Sequence, residues 1–365
     1  MPLRLNDLQT YAIEEFVEHY REGLMSRREM IQRVLAITGS AAATASVLLA
    51  LGCAPSAATP TAASTTAAPT QAPTQPPSAA PSPTAATSPT SAPSSSAQPT
   101  TAPSPTAAPS STAGASPAVA SPTPQARSKF SVKADDPAIK AADVTFPGEG
   151  ATLMGYLAQP SSGSGPFPGV LVCHEIFGLT EHIRDVTRRF AKAGYVALAP
   201  DLLSRDGGTA KVPPAQMGAK LTADPEQKVA DFQAAFRYLQ SLSVVKKDAI
   251  GMVGFCYGGG IAWRVVTAIP ELKAAVPFYG TPPPLGDVPK IKAAVLGIYG
   301  GNDTRVDATI PSIERAMKQN NKTFEKIVYP GANHAFHNDT GPNWNEQAAY
   351  DAWQKTLDWF GKYLT

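Results

Sequence analysis

A stretch built almost entirely from Ala, Ser, Thr and Pro occupies residues 54–127 of this 365-residue chain. The stretch has no periodicity of aromatic or large aliphatic residues, so it cannot bury enough apolar surface to offset the entropy that ordering would cost. Pro keeps such a segment extended, and Ser and Thr keep it hydrated, so it is predicted to be a disordered linker. The core must therefore come from residues 128–365, which are enough for one sizeable domain.

Residues 1–53, before this linker, are predicted to be an export signal or a membrane anchor. Ser26-Arg27-Arg28 resembles the start of a twin-arginine motif, and an uncharged apolar run follows at 34–52. The arginines lie before the run, and the next charged residue after it is Arg127, an asymmetry that keeps the N-terminus inside and sends the rest outward. We expect an exported chain, held by its N-terminus at the outer face of the cytoplasmic membrane, in the periplasm or at the cell surface.

The apolar run leaves two alternatives for attachment to the membrane. Leu51-Gly52-Cys53 resembles the end of a bacterial lipoprotein cleavage site, in which the cysteine is lipidated, although Ala50 stands where the pattern prefers leucine. About 20 apolar residues also suffice to span a bilayer, so an uncleaved N-terminal apolar helix is the rival. The first 25 residues are predicted to form a short amphipathic helix, to which the sequence assigns no function.

Composition excludes several classes of partner and cofactor. The net charge is +2 and no basic cluster occurs, which argues against nucleic acid as a partner. The three cysteines, Cys53, Cys173 and Cys256, give no disulfide framework. No cluster of ligating residues is evident along the sequence, so neither a metal nor an organic cofactor is predicted. The oligomeric state stays open.

Short apolar strands alternate with amphipathic helices throughout residues 128–365. The predicted strands are 142–146, 153–158, 170–173, 195–199, 250–255, 274–278, 293–299 and 325–329. The predicted helices are 183–193, 227–241, 258–269 and 344–363. The first two strands are expected to pair as a hairpin. The alternation indicates an α/β fold whose mostly parallel sheet has helices on both faces, with functional residues in the loops at the carboxyl ends of the strands.

Gly254-Phe255-Cys256-Tyr257-Gly258 lies between a predicted strand and a predicted helix. This is a G-x-C-x-G form of the nucleophile elbow, in which a strained turn holds the nucleophile at the edge of the sheet. The residues two before and two after the nucleophile must have almost no side chain, which glycine satisfies. The N-terminus of the following helix also favours a thiolate. Cys256 is therefore the predicted nucleophile.

Two further strand ends supply a base and an acid. His334 follows the last strand and is predicted to take the proton of the nucleophile, with His337 as its rival. Asp303 follows the strand at 293–299 and is predicted to orient the imidazole, with Asp307 as the alternative. The chain order of nucleophile, acid and histidine is that of α/β-hydrolases, which is the predicted fold.

With these residues, the chain resembles the dienelactone hydrolase family of α/β-hydrolases over nearly all of residues 140–365. The resemblance rests on these four segments: His174-Glu175-Ile176-Phe177-Gly178, Pro200-Asp201-Leu202, Gly254-Phe255-Cys256-Tyr257-Gly258-Gly259 and Asn333-His334-Ala335-Phe336. It implies that Glu175 contacts the resting thiol and later receives its proton. It also implies an oxyanion hole made by the backbone amides of Ile176 and Tyr257.

The family also binds the carboxylate of its substrate with arginines. Arg205 matches one of them, whereas Asn338 stands where the type member of the family has another, which weakens the expectation of a small dienelactone carboxylate. The predicted function is hydrolysis of a small ester or lactone, carboxymethylenebutenolidase-like, through a cysteine acyl-enzyme. The alternative is a catalytically inactive binding or scaffold domain at the cell surface. A third reading is a thiol esterase that acts on polysaccharide-linked esters.

Overall fold

The computed structural model describes residues 4–53 and 126–365, and eight strands of the second range form one sheet. The strands are β1 Ile139–Gly148, β2 Ala151–Pro160, β3 Phe167–Cys173, β4 Val196–Pro200, β5 Val245–Phe255, β6 Ala274–Phe278, β7 Ala294–Gly300 and β8 Phe324–Tyr329. All but the last two residues of the predicted linker, 54–127, lie outside the described residues.

The strands follow the order β1-β2-β4-β3-β5-β6-β7-β8. Strand β2 pairs antiparallel with both β1 and β4, and the five remaining pairings are parallel. The mostly parallel sheet and its opening hairpin are therefore confirmed. The carboxyl ends of β3, β5, β6, β7 and β8 meet at one edge of the sheet, which is where such a fold places its functional loops.

Helices cover both faces of the sheet. They are α1 Asp7–Arg21, α2 Arg27–Thr38, α3 Ala41–Ala50, α4 Glu181–Lys192, α5 Pro214–Thr222, α6 Pro225–Ser241, α7 Tyr257–Ala268, α8 Thr304–Asp307, α9 Ile310–Gln319 and α10 Glu346–Tyr363. A methyl group added at Gly251 of β5 would meet Phe360 of α10, and one added at Gly254 would meet Ala262 of α7. Because residues three apart on a strand face opposite sides, α7 and α10 flank opposite faces of the sheet.

The apolar run after the arginines forms two helices, not the single apolar helix that we predicted. Gly39 has a φ of 73°, a left-handed conformation that ends α2, and the hydroxyl of Ser40 then accepts a hydrogen bond from the backbone of Ala43 to start α3. Among the described residues, no single helix has the length and apolar character needed to cross a membrane. Taken together, α2 and α3 would have both, but they are bent by 114° at this break.

Helix α1 packs against α2 and against α5, and α2 also packs against α5. Residues 4–53 and 126–365 belong to one compact unit. The ring of Phe16 on α1 takes the space that Gly218 leaves on α5, where even a methyl group would collide with it. The side chain of Asn6 caps α1 and donates a hydrogen bond to the backbone oxygen of Thr222, 2.8 Å away. Full burial of a side chain as large as Phe16 stabilises this docking by about 1.5–3 kcal/mol.

Candidate active site

The turn between β5 and α7 holds Cys256 in a strained backbone conformation, with φ 58° and ψ −124°. A side chain at Gly254 would collide with the backbone oxygen of Gly258, and one at Gly258 would collide with the backbone of Cys173 and His174. The backbone amide of Cys256 donates to the oxygen of Phe278, 3.1 Å away, which fixes the turn on β6. A positive φ in a non-glycine residue costs about 1–3 kcal/mol, and such strain is concentrated at functional turns. This local geometry is that of a nucleophile elbow.

The loops after β7 and β8 bring an acid and a base to the same edge of the sheet. Nδ1 of His334 lies 2.5 Å from Oδ2 of Asp303, and both side chains are buried. The other carboxylate oxygen of Asp303 accepts from the backbone amide of Val306, which holds it at the start of α8. A nitrogen of His334 and Sγ of Cys256 lie within 4.8 Å of each other. The three residues of the predicted triad are therefore brought together.

The two rival residues lie elsewhere. The ring of His337 stacks on Phe255 at a centroid distance of 5.0 Å and lies against Phe278 and Trp353, so it belongs to an aromatic part of the core. Burial lowers the pKa of His337 well below its usual range, which keeps it neutral. Asp307 lies on α8, and the carboxylate bound to the imidazole of His334 is that of Asp303. His334 and Asp303, and not these rivals, therefore form the buried pair beside Cys256.

Glu175 follows β3 and is buried, with 3% of its surface exposed. Its Oε2 accepts a hydrogen bond from Nδ2 of Asn338, 2.9 Å away, so the residue that replaces the family's arginine binds this carboxylate. Burial raises the pKa of Glu175, although the charges of His182 and His334 act in the opposite direction. The predicted contact of Glu175 with the resting thiol is not among the hydrogen bonds of the described residues, because the carboxylate that contacts Sγ of Cys256 is that of Glu15. The predicted proton transfer to Glu175 stays a prediction.

The two amides predicted to form the oxyanion hole are available for it. Ile176 lies in the loop after β3, and Tyr257 is the first residue of α7. Among the hydrogen bonds of the described ranges, neither backbone amide has an acceptor. Tyr257 also donates from its hydroxyl to the oxygen of Leu221, 2.8 Å away, which fixes the start of α7 against α5.

Arg205 does not point its charge at the triad. Its guanidinium donates to the carboxylate of Asp231 on α6, with a shortest distance of 2.8 Å, and to the backbone oxygen of Glu149. Within residues 126–365, its described contacts include none with the triad or Glu175. The predicted role of Arg205 in substrate binding therefore has no geometric support, because an internal carboxylate already pairs with it.

Helix α1 supplies two active-site side chains that the sequence reasoning missed. The hydroxyl of Tyr11 donates to Sγ of Cys256 at 3.4 Å, and the thiol lies 3.7 Å from Oε1 of Glu15. The same oxygen lies 3.3 Å from Nε2 of His334. The other carboxylate oxygen of Glu15 forms an ion pair with Arg305. The sequence of the first 25 residues shows an amphipathic pattern with acidic residues. Such a pattern predicts a helix, but it does not predict the surface on which the helix docks.

The charges of this cluster depend on one another. Burial alone would raise the pKa of Glu15, but His334 and Arg305 lower it well below its usual range. Burial alone would lower the pKa of His334, but Glu15 and Asp303 raise it well above its usual range. Burial and the charge of Glu15 raise the pKa of the Cys256 thiol. The resting cluster therefore holds a carboxylate, an imidazolium and a neutral thiol.

Glu15, Cys256 and His334 also offer one ligand atom each within 4.8 Å of one another, a spacing that a metal ion can bridge. A buried thiolate, an imidazole and a carboxylate are donors that suit zinc. However, Arg305 already neutralises Glu15, and a second cation beside its guanidinium would be repelled. The geometry is explained by the ion pairs, so no metal is assigned.

Comparisons with known proteins show the family to which the chain belongs. Residues 153–364 match the family described as "Dienelactone hydrolase family". A protein of Methylorubrum extorquens named "Putative carboxymethylenebutenolidase" is 36% identical over 252 residues, which are 65% of this chain and 86% of the relative. A protein of the same name from Escherichia coli K12 is 35% identical over 246 residues, or 64% of this chain and 90% of the relative.

A solved structure titled "Crystal Structure of Putative Dienelactone Hydrolase from Klebsiella pneumoniae" is also similar. It is 34% identical, with a TM-score of 0.58, and the match covers 62% of this chain and all of that one. The region matched by the family starts at residue 153, so α1, α2 and α3 lie outside it. The contacts of Glu15 with Cys256 and His334 therefore come from a part of the chain outside the matched region.

Proposed function

Because this chain belongs to the dienelactone hydrolase family, we propose that it cleaves a carboxylic ester or lactone through an acyl-thioester on Cys256. The family makes it a hydrolase of esters or lactones, and the proposal adds the mechanism. The observation that supports the proposal most is that His334 lies within 4.8 Å of Cys256 and binds Asp303, at the ends of β8, β5 and β7. A nucleophile, a base and an orienting acid in this arrangement are what acyl transfer requires.

In the proposed first step, the thiol proton leaves Sγ of Cys256 and the sulfur attacks the carbonyl carbon. Nε2 of His334 receives the proton, and Asp303 at Nδ1 stabilises the imidazolium. The carbonyl oxygen becomes an oxyanion, which the amides of Ile176 and Tyr257 stabilise. When the carbon–oxygen bond breaks, His334 returns its proton to the leaving oxygen. In a lactone that oxygen stays attached to the acyl group.

In the second step, water cleaves the thioester. His334, now neutral, takes a proton from the water as it attacks the same carbonyl carbon, and the carbon–sulfur bond breaks. The proton then returns to Sγ of Cys256, so the carboxylic acid is released and the thiol is restored. Glu175 has a raised pKa and lies in the same cluster, where its charge also raises the pKa of the thiol. It is the second candidate to carry the thiol proton.

Replacement of Cys256 by Ala tests the mechanism. Hydrolysis of a neutral short-chain aryl ester should fall to the uncatalysed rate, and a brief reaction of the parent chain should show an acyl adduct on Cys256 by mass spectrometry. Cys173, a buried cysteine on β3, gives the matched control, because Cys173→Ala removes a thiol that no step uses. Full activity of the Cys256→Ala chain would contradict the proposed nucleophile.

An inactive binding or scaffold domain is the alternative function, and no observation favours it. A fold that had lost its chemistry would have no reason to keep the strained backbone of Cys256 or the buried ion pair of His334 with Asp303. Labelling by iodoacetamide separates the two functions. Alkylation of Cys256 that is slower in a His334→Ala chain than in the parent chain indicates a thiol that His334 activates.

Export and membrane attachment are proposals that rest on the sequence alone. Their support is the Ser26-Arg27-Arg28 motif, the apolar run after it and the position of Cys53. Cys53 is half-buried and its thiol is free, so the fold leaves it unpaired. A mass spectrum of the N-terminus, taken from membranes of a bacterium that expresses the chain, distinguishes a lipidated Cys53 from an uncleaved anchor.

A further inference from the structure

The reactive atoms of the proposed enzyme are closed off from solvent by a helix of the same chain. Cys256 is 2% exposed and His334 is 3% exposed. Tyr11 and Glu15 of α1 both lie against the sulfur, at 3.4 and 3.7 Å. A carbonyl carbon about to be attacked must lie about 3–3.5 Å from the sulfur. Two side chains of α1 therefore stand next to the sulfur where a substrate carbonyl has to approach.

The charge of Glu15 also opposes the chemistry. Its carboxylate lies 3.3 Å from Nε2 of His334, the atom that must receive the thiol proton. While this ion pair lasts, the imidazole already carries its proton and cannot take another. The same carboxylate raises the pKa of Cys256, so the thiolate is disfavoured as well. The contact keeps both the nucleophile and the base in their unreactive forms.

Ion pairs and hydrogen bonds hold α1 along its whole length. Asp7 pairs with Arg264 on α7, Glu18 pairs with Arg305 at 3.2 Å, and Glu22 accepts from Asn343 at 3.3 Å. The apolar face of the helix is buried, and its members are Leu8, Tyr11, Ala12, Ile13, Phe16 and Val17. These contacts come from α7, α8 and the loop before α10, so they surround the site.

We propose that, in the chain before its export, residues 4–53 are an internal inhibitor, in which α1 docks in the active site and Glu15 occupies the position of the reacting group. Cleavage before Cys53, or insertion of the apolar run into a membrane, would each take α1 away from the site. Substrate then reaches Cys256 only after α1 has left the site. The inference rests on the proposed function, because it concerns the same nucleophile. Two observations support it besides the contacts. Helix α1 lies outside the region that matches the family, and the chain between it and the catalytic domain is the Ala-, Ser-, Thr- and Pro-rich stretch.

The test compares two variants of the full-length chain that differ by one position on α1. Glu15→Ala removes the carboxylate in the site, whereas Glu14→Ala removes its neighbour, which is half-buried and forms no ion pair or hydrogen bond among the described residues. The readouts are kcat/KM for a neutral short-chain aryl ester and the rate at which iodoacetamide alkylates Cys256, followed on its own peptide. Glu15→Ala should raise both at least tenfold, and Glu14→Ala should leave both within twofold.

A second variant loosens the helix without removing a charged side chain. Phe16→Ala removes the ring that packs against Gly218 of α5, and it should raise both readouts in the same direction as Glu15→Ala. Circular dichroism and a thermal melt show whether each chain is folded. If Glu15→Ala does not fold, the result with Phe16→Ala decides.

Either of two results would refute the proposal that α1 inhibits the enzyme. In the first, Glu15→Ala alkylates faster but hydrolyses more slowly, which makes Glu15 a participant in the chemistry. In the second, neither variant changes either readout, which means that α1 does not restrict access. The alkylation rate does not depend on which reaction the enzyme performs. If both variants are alkylated faster but hydrolyse no ester, the result would support the blocking of Cys256 by α1. The same result would refute the proposed function.

Discussion

Replacement of Asp303 by Asn changes the charge of the triad and leaves the volume of the side chain almost unchanged. Oδ2 of Asp303 lies 2.5 Å from Nδ1 of His334, and both groups are buried. At an effective dielectric constant of about 20, a pair of charges at this distance interacts by roughly 7 kcal/mol. Asn keeps some hydrogen bonding but also favours the wrong tautomer, so we expect a net loss of about 4 kcal/mol in transition-state stabilisation, which is about 10³-fold in kcat/KM.

Asp303→Asn should also shift the pH dependence of kcat/KM in a defined direction. Burial lowers the pKa of His334, but the charge of Glu15 and, to a smaller extent, the charge of Asp303 raise it, and the pKa lies well above its usual range. Without the charge of Asp303 the pKa falls, so the acidic limb of the profile of kcat/KM should move to lower pH. The raised pKa also means that the pair stabilises the folded chain below the unfolded pKa of about 6.5 and that this contribution fades as the pH rises through the folded pKa. Unfolding in urea at several pH values measures it.

Hydrolysis of a neutral aryl ester by the full-length chain provides the assay, with Asp307→Asn as the matched control. Asp307 lies one turn further along the chain and titrates with a pKa of about 6, raised by burial, but it does not bind the imidazole. The Asp307→Asn chain should retain activity within a few-fold. The reasoning fails if Asp303→Asn stays within tenfold of the parent, or if both variants lose activity equally.

Two other substitutions test the elbow and the arginine. Gly254→Ala forces a methyl group into the backbone oxygen of Gly258 and should destabilise the chain by about 1–3 kcal/mol or more in urea unfolding, whereas Gly286→Ala, which meets nothing within 4 Å, should be nearly neutral. Arg205→Leu leaves the buried Asp231 without its ion pair, so the melting temperature should fall while KM for a carboxylate-bearing ester stays within twofold of its value for the parent. A large rise in KM would restore the binding role of the arginine.

The sheet and the grouping of Cys256, Asp303 and His334 at one edge of it could be predicted because each depends on a local pattern. Apolar runs bounded by Gly and Pro mark strands whatever they pack against, so the predicted strands of the sheet agree with the structure to within a few residues, apart from the amino end of β5. The glycines around Cys256 are fixed by collisions within the turn itself, so the motif and its conformation belong together. The loop positions of Asp303 and His334 then follow from the strand ends.

What the sequence did not reveal depends on distant contacts. Helices α5 and α9 are short, with nine and ten residues, and their apolar positions were too few to separate from loops. The break at Gly39 and Ser40 interrupts an apolar run whose composition alone predicts one helix. Glu15 and its partner Arg305 are 290 positions apart, and no local pattern couples them.

Joining an inhibitor to its target by a covalent chain changes how the protein responds to dilution and to ligand. The local concentration of α1 at the site is fixed by the length of residues 54–125 and not by the amount of protein, so dilution does not release it. A substrate sees only the fraction of molecules that is open at a given moment. If only about one molecule in a hundred were open, the apparent affinity for the substrate would be about 100-fold weaker, even with every contact inside the site unchanged.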